Sequence, residues 1–262
     1  MKKFELTAEF VTNVFGKKLF RIKALVAFGT VEKGELGGFI EKEENLSSDG
    51  NAWVYGDAQV SGDARVYGDA RVYGNALVSG DARVYGNAWV YGDAQVSGDA
   101  RVSGDAQVSG DARVYGDAQV YGDARVYGDA RVYGNALVYG NALVSGDARV
   151  YGNAWVYGNA WVYGDAQVSG DARVSGDAQV YGNADYAVVT GFGHCFRTTT
   201  FFRCEDKIIR VQCGCFYGDL AQFREIVKKT HGDSKYAKEY LAIADLMELH
   251  FSDEKENQEV SE

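Results

Sequence analysis

The side chains best suited to chemistry lie close to one end of the chain. All three histidines (His194, His231, His250) and all four cysteines (Cys195, Cys204, Cys213, Cys215) follow residue 193. His194 and Cys195 adjoin, so a thiol–imidazole nucleophile is one chemistry to weigh. It would need an acidic group to orient the imidazole, and none is evident in the sequence. Zinc is a second chemistry. Cysteine ligands of zinc commonly come as Cys-x₂₋₄-Cys, and Cys213-Gly214-Cys215 is too tight for that spacing. The expectation is no catalytic site, no metal site and no cofactor. The cysteines read as reduced thiols packed in a small sheet.

The other chemistry is recognition. From Gly50 to Ala187 the hexapeptide Gly-[Asp/Asn]-Ala-x-Val-[Tyr/Ser] occurs 23 times with no insertion or deletion, and only the last copy breaks pattern, at Tyr186 and Ala187. Position x holds Arg nine times, Gln six, Trp four and Leu three times, and Asp once, at Asp185. All four tryptophans sit there, beside columns of Tyr. Trp, Tyr and Arg are the residue types favoured at binding hot spots. The array has no His, the usual general base for acyl transfer, no insertion that could form an acceptor pocket, and no imidazole ligands for a metal enzyme.

The elements that position these residues follow from the period. In each unit Ala and Val are two apart and share one side of a strand, while x faces the other side. Val favours strands. Gly with Asp or Asn forms the corner, because both tolerate the left-handed region. A fixed short period is the mark of a solenoid. Three strands per coil give an 18-residue triangular turn, and coils stacked at about 4.8 Å make a rod of roughly 37 Å. Residues 18 apart then share a face. The first face carries the candidate interface residues Trp53, Arg71, Trp89, Arg125, Leu143 and Trp161, with Arg71 placed to stack between Trp53 and Trp89. The third carries Leu137 and Trp155. The second ends at Asp185. One corner runs Tyr55, Tyr73, Tyr91, a ladder expected to stiffen the rod.

The flanks read as caps, which a solenoid needs because bare end coils invite polymerisation. Residues 1–49 predict a β cap around Phe4-Glu5-Leu6 and Leu19–Leu25, with an irregular lead-in coil over 34–48. Residues 50–187 are the solenoid. Residues 188–251 predict an α+β cap, with a hairpin of Arg197–Cys204 and Ile208–Cys213. A helix opens at Asp219 with a capping box to Gln222, and a second helix follows Ser234. The polar stretch 252–262 predicts a disordered tail.

Ala-x-Val-[Tyr/Ser]-Gly-[Asp/Asn] resembles the hexapeptide left-handed β-helix, which implies an all-β solenoid built as a triangular, left-handed parallel β-helix. It departs from that family at the corner, where Tyr or Ser precedes Gly. The array is more similar to the YdcK-like β-solenoid proteins of bacteria and their phages, and Gly37–Glu41, Thr199–Phe202 and Thr230–Asp233 look like modules that accompany such arrays in phage and prophage proteins. That resemblance implies a fold and no established activity.

Net charge is −10, which argues against non-specific nucleic-acid binding. No apolar run of 18 residues occurs, so no membrane span is expected. Met1-Lys2-Lys3-Phe4 lacks a following apolar stretch, which predicts no signal peptide and a cytoplasmic protein. The expected function is a non-enzymatic scaffold that binds a protein partner, of the host-directed inhibitor type if phage-encoded. A virion component and an acyltransferase-like enzyme are the alternatives. Self-association through a solenoid face or the C-terminal helices is also open.

Overall fold

The computed structural model describes residues 2–252; of the tail expected over 252–262, all but Ser252 lies outside the described residues. Three N-terminal strands, β1 (Phe4–Thr12), β2 (Lys18–Ala24) and β3 (Leu36–Ile40), lead into 22 two-residue strands from β4 (Trp53–Val54) to β25 (Gln179–Val180). These strands form three parallel sheets, one per face of a rod of about eight turns. Neighbouring strands pair 18 residues apart: Trp53 with Arg71, Gln59 with Leu77, Arg65 with Arg83. Ala and Val fill the interior, and from Ala52 to Val180 none exceeds 1% exposure.

The corner is set by glycine. From Gly50 to Gly176 every corner glycine has φ between 58° and 72°, a region that costs a Cβ-bearing residue about 1–2 kcal/mol. Stacking adds a second demand at most of them. A Cβ on Gly116 would stand 3.1 Å from the Gly134 nitrogen, whereas one on Gly170 would meet nothing within 4 Å. Gly182 breaks the series with an extended backbone, and the turn Asn183–Asp185 follows it. Asp185 is therefore not an outward residue of the second face, as its sequence position suggests. Its carboxylate accepts from the N–H groups of Tyr181 and Gly182 and stands 3.5 Å from Arg203.

The N–H groups of position x and of the Tyr or Ser that follows Val donate toward the next coil, as Arg71 N does to Ala88 O at 2.9 Å and Tyr73 N to Val90 O at 3.0 Å. The rod is thus polar at its ends: Ala and Val carbonyls are left over at the first coil, and x and Tyr or Ser N–H groups at the last. The caps match this polarity, because buried backbone groups must find partners. At the start, Lys3 Nζ donates to Ala52 O (2.8 Å), Asn45 Nδ2 donates to Ala64 O (2.8 Å), and Phe39 N donates to Ala58 O (2.9 Å). Burial pushes the Lys3 ammonium down to about 8, against the attraction of Asp49 and Asp69. At the end, Asn183 Oδ1 accepts from Gln167 N and Thr200 Oγ1 accepts from Arg173 N, both at 2.9 Å. The lead-in segment is more regular than expected. Phe39 and Ile40 pair with Gln59 and Val60, and Leu46 bridges to Val66.

The C-terminal cap is larger than a hairpin. Four antiparallel strands, β26 (Tyr186–Phe192), β27 (Arg197–Arg203), β28 (Ile209–Cys213) and β29 (Phe216–Asp219), form one sheet. Tyr186 and Ala187, which the repeat count assigns to the array, open its first strand. Helices α1 (Leu220–His231) and α2 (Lys235–His250) complete the cap. Asp219 Oδ1 accepts from Gln222 N at 2.8 Å and Gln222 Oε1 accepts from Asp219 N at 3.0 Å, the capping box that the sequence predicts. Among the described residues no helix is long and apolar enough to cross a membrane.

The two glycine environments separate backbone conformation from stacking. Gly170→Ala is expected to cost about 1 kcal/mol, the penalty of a side chain in the left-handed region. Gly116→Ala should cost about twice that, since the neighbouring coil must also shift. Denaturant unfolding of both variants measures the difference; equal losses would show that the coils do not constrain the corner.

Candidate functional site

Trp53 does not belong to the surface. It is fully buried, with its ring edge-on to Phe28 at 5.4 Å and to Phe4 at 6.3 Å. Gly37 passes so close that a Cβ there would stand 2.8 Å from the indole. The lead-in coil must lie on the first rung, so the x residue of that rung becomes core. Arg71 accordingly stacks on one tryptophan, with its guanidinium 5.4 Å from the Trp89 ring. Trp89 is 37% and Trp161 46% exposed. Arg125 is exposed, and Leu137, Leu143 and Trp155 are half-buried.

Tyrosines stack in parallel at six of the eight places where Tyr follows Tyr along a corner, the exceptions being Tyr55–Tyr73 and Tyr163–Tyr181 at the two ends of the rod. Tyr115–Tyr133–Tyr151 and Tyr121–Tyr139–Tyr157 run at 4.9–5.0 Å and within 3° of parallel. The ladder expected from Tyr55 fails at its first step. Tyr55 stands at 89° to Tyr73, and its hydroxyl is 3.3 Å from Thr30 Oγ1 in the N-terminal cap. Partial burial raises the phenols of Tyr121, Tyr133 and Tyr139 above their ordinary value.

Two kinds of unit are visible once the corner and the strand are compared. Every Trp or Leu at position x follows Asn, and every Arg or Gln follows Asp. In the structure the Asn amides bridge coils. Asn135 Nδ2 donates to Asn153 Oδ1 (3.1 Å) and Asn141 Nδ2 to Asn159 Oδ1 (3.0 Å). The ladder continues from Asn153 to Asp171 and from Asn159 to Asp177, both at 3.0 Å.

Four of the apolar units coincide in space. Leu137 pairs with Trp155 on one sheet, and Leu143 pairs with Trp161 on the adjoining sheet. The stacked rings of Tyr139 and Tyr157 occupy the corner between them, and the edge of Tyr139 meets Trp155 at 6.5 Å. The outward side chains of these two coils from Asn135 to Leu143 and from Asn153 to Trp161 carry no charge. Around them the array is charged: Arg125 lies below Leu143, and Arg173 lies over Trp155 at 4.7 Å from its ring. The geometry thus joins Leu137, Leu143, Trp155 and Trp161 into one patch, leaves Arg71 and Trp89 apart from it, and removes Trp53.

The thiols and imidazoles are partly brought together. His194, Cys195, Cys213, Cys215 and His231 line one cavity of about 340 Å³ between the cap sheet and α1. Cys204 and His250 lie elsewhere. Cys204 is buried at the rod end, which pushes its thiol up to about 11. Thr199 Oγ1 donates to Cys213 Sγ at 3.1 Å. Cys195 and Cys215 are exposed rather than packed. Among the described residues no group of three His, Cys, Asp or Glu side chains is arranged to hold a metal ion.

Trp53→Ala is expected to cost about 3–5 kcal/mol, as for other large core truncations. Trp161→Ala should stay within about 1 kcal/mol. Denaturation of the two variants against the parent chain measures both. Comparable losses would place Trp161 in the core as well.

The array matches the family model described as YdcK Beta solenoid repeat nine times, over 58–74, 70–82, 78–92, 94–106, 106–122, 118–134, 130–146, 148–164 and 166–182. No curated protein matches the chain. Across residues 58–182 the chain is thus a YdcK-like repeat β-solenoid.

Proposed function

We propose that this chain is a rigid, non-catalytic binding rod, and that a partner protein docks over the uncharged corner formed by Leu137, Tyr139, Leu143, Trp155, Tyr157 and Trp161. The observation that carries this reading is the coincidence of charge depletion with aromatic enrichment on two adjacent coils. Interface cores have that composition, with charged residues displaced to the rim. Here Arg125 and Arg173 stand at the rim. Trp and Tyr on a fixed backbone supply contact area at little ordering cost. The array brings no His, Lys or Glu to the surface, which supports display over catalysis. The flanking segments' likeness to prophage modules favours a bacterial cytoplasm and a host protein as the partner.

The repeat supplies its own control. Asn153→Asp, Trp155→Arg, Asn159→Asp and Trp161→Arg together rewrite two apolar units as the Gly-Asp-Ala-Arg-Val-Tyr unit already present at 62–67. The rewritten chain is expected to keep the fold, because its inward residues are unchanged, and to melt somewhat below the parent, because the amide bridges of Asn153 and Asn159 and the Trp155–Arg173 contact are lost. Tagged parent and rewritten chains are exposed to bacterial lysate, and retained proteins are identified by mass spectrometry. A protein held by the parent and lost by the rewritten chain is the expected result. An identical retained set would refute the assignment. Sedimentation of both chains shows whether the partner is a second copy.

A further inference from the structure

A separate feature lies in the C-terminal cap. The cavity between the cap sheet and α1 has a volume of about 340 Å³, at the lower end of the range for small-molecule sites. Its floor is apolar, formed by Phe216, Phe223 and Val227. The Phe223 ring lies 5.6 Å from Phe216 and edge-on to Tyr240 at 5.7 Å. Three thiols edge this floor, and polarisable sulfur favours contact with aromatic rings.

The rim is cationic or neutral. Arg197, His194 and His231 contribute to the lining, and no Asp or Glu does. The Arg197 guanidinium makes no hydrogen bond or ion pair among the described residues. Glu239, on α2, is occupied elsewhere: it accepts from the Gly193 N–H at 3.1 Å and stands 3.4 Å from Lys235.

Two glycines hold this arrangement open. Gly193 and Gly214 both have positive φ, at 71° and 59°. The Tyr240 hydroxyl lies against Gly193 where a Cβ would be, and a Cβ on Gly214 would stand 2.6 Å from Arg197 Nη1. Bare backbone at these two points lets Tyr240 and Arg197, which both line the cavity, pack directly against the chain; Arg197 stands between this cavity and a second one lined by Trp155, Asp171 and Arg173.

We propose that this cavity is a binding site for a small aromatic carboxylate, whose ring lies on the phenylalanine floor and whose carboxylate pairs with Arg197. A planar carboxylate fits the guanidinium fork, and such charge-assisted pairs are the strong hydrogen bonds of a partly desolvated site. The reading is independent of any partner on the solenoid.

The probes are 1-naphthoate and its neutral analogue 1-naphthalenemethanol, titrated calorimetrically into the full chain. One naphthoate is expected per chain, bound about tenfold more tightly than the alcohol. Arg197→Gln should abolish that preference and leave the alcohol's affinity unchanged. Ile226→Trp, at the cavity rim, should block both ligands. Absence of saturable binding overturns the proposal, as does a preference that survives Arg197→Gln. Because a rim tryptophan could disturb the cap, alkylation of Cys195 and Cys215 in the unaltered chain gives a second reading. Saturating 1-naphthoate should slow it several-fold, and an unchanged rate would contradict the site.

Discussion

Everything in this molecule depends on one corner, repeated every six residues, in which a glycine takes a positive φ. Three such corners return the chain to its starting direction after 18 residues, so each residue lies over its equivalent in the coil below. Stacking of this kind lets Ala and Val build an identical core on every rung. It also forces like onto like outside. Arg113, Arg131 and Arg149 are direct neighbours across strands, an arrangement that is unfavourable for equal charges. Tyrosine stacks and asparagine ladders act in the opposite direction. The first bury ring faces against each other, and the second put an amide donor beside an acceptor in the next coil.

The same geometry explains the ends. A parallel stack whose x and Tyr or Ser N–H groups all donate in one direction leaves Ala and Val carbonyls open at one terminus and those N–H groups open at the other. The N-terminal cap therefore presents an ammonium and an amide N–H₂, through Lys3 and Asn45. The C-terminal cap presents oxygens, through Asn183, Asp185 and Thr200. Covering the first coil carries Trp53 from the expected surface into the core. Covering the last coil recruits Tyr186–Phe192 into a four-stranded sheet. Repeat arrays in general require such atypical terminal units.

The solenoid was legible because its cause is local. The spacing of Ala and Val fixes the inward face, Gly fixes the corner, and the period of 18 fixes which x residues share a sheet. Departures arise where a residue's surroundings are set from outside its own repeat. Trp53 and Tyr55 are repositioned by the lead-in coil, and Asp185 is turned inward to the N–H groups that end the array. The pairing of Asn with Trp or Leu was present in the sequence. It emerges only when the corner and x columns are compared together, and its spatial meaning needs the register of adjacent coils. The cavity of the cap was not legible, because His194, Cys213 and His231 are brought together by the packing of α1 on the sheet.

The central claim is that the rod is held by a six-residue unit closing into an 18-residue coil, with outward residues free to vary. Deletions test it most directly. Removing residues 92–109 takes out one whole coil and leaves every remaining face in register. Thermal melting of that chain should match the parent, and small-angle scattering should show a rod shorter by one rung, about 4.8 Å. Removing residues 92–100 takes out half a coil and sets a strand against a corner, so that chain should lose cooperative unfolding. If the nine-residue deletion melts as the eighteen-residue one does, the coil period is not what holds this fold together.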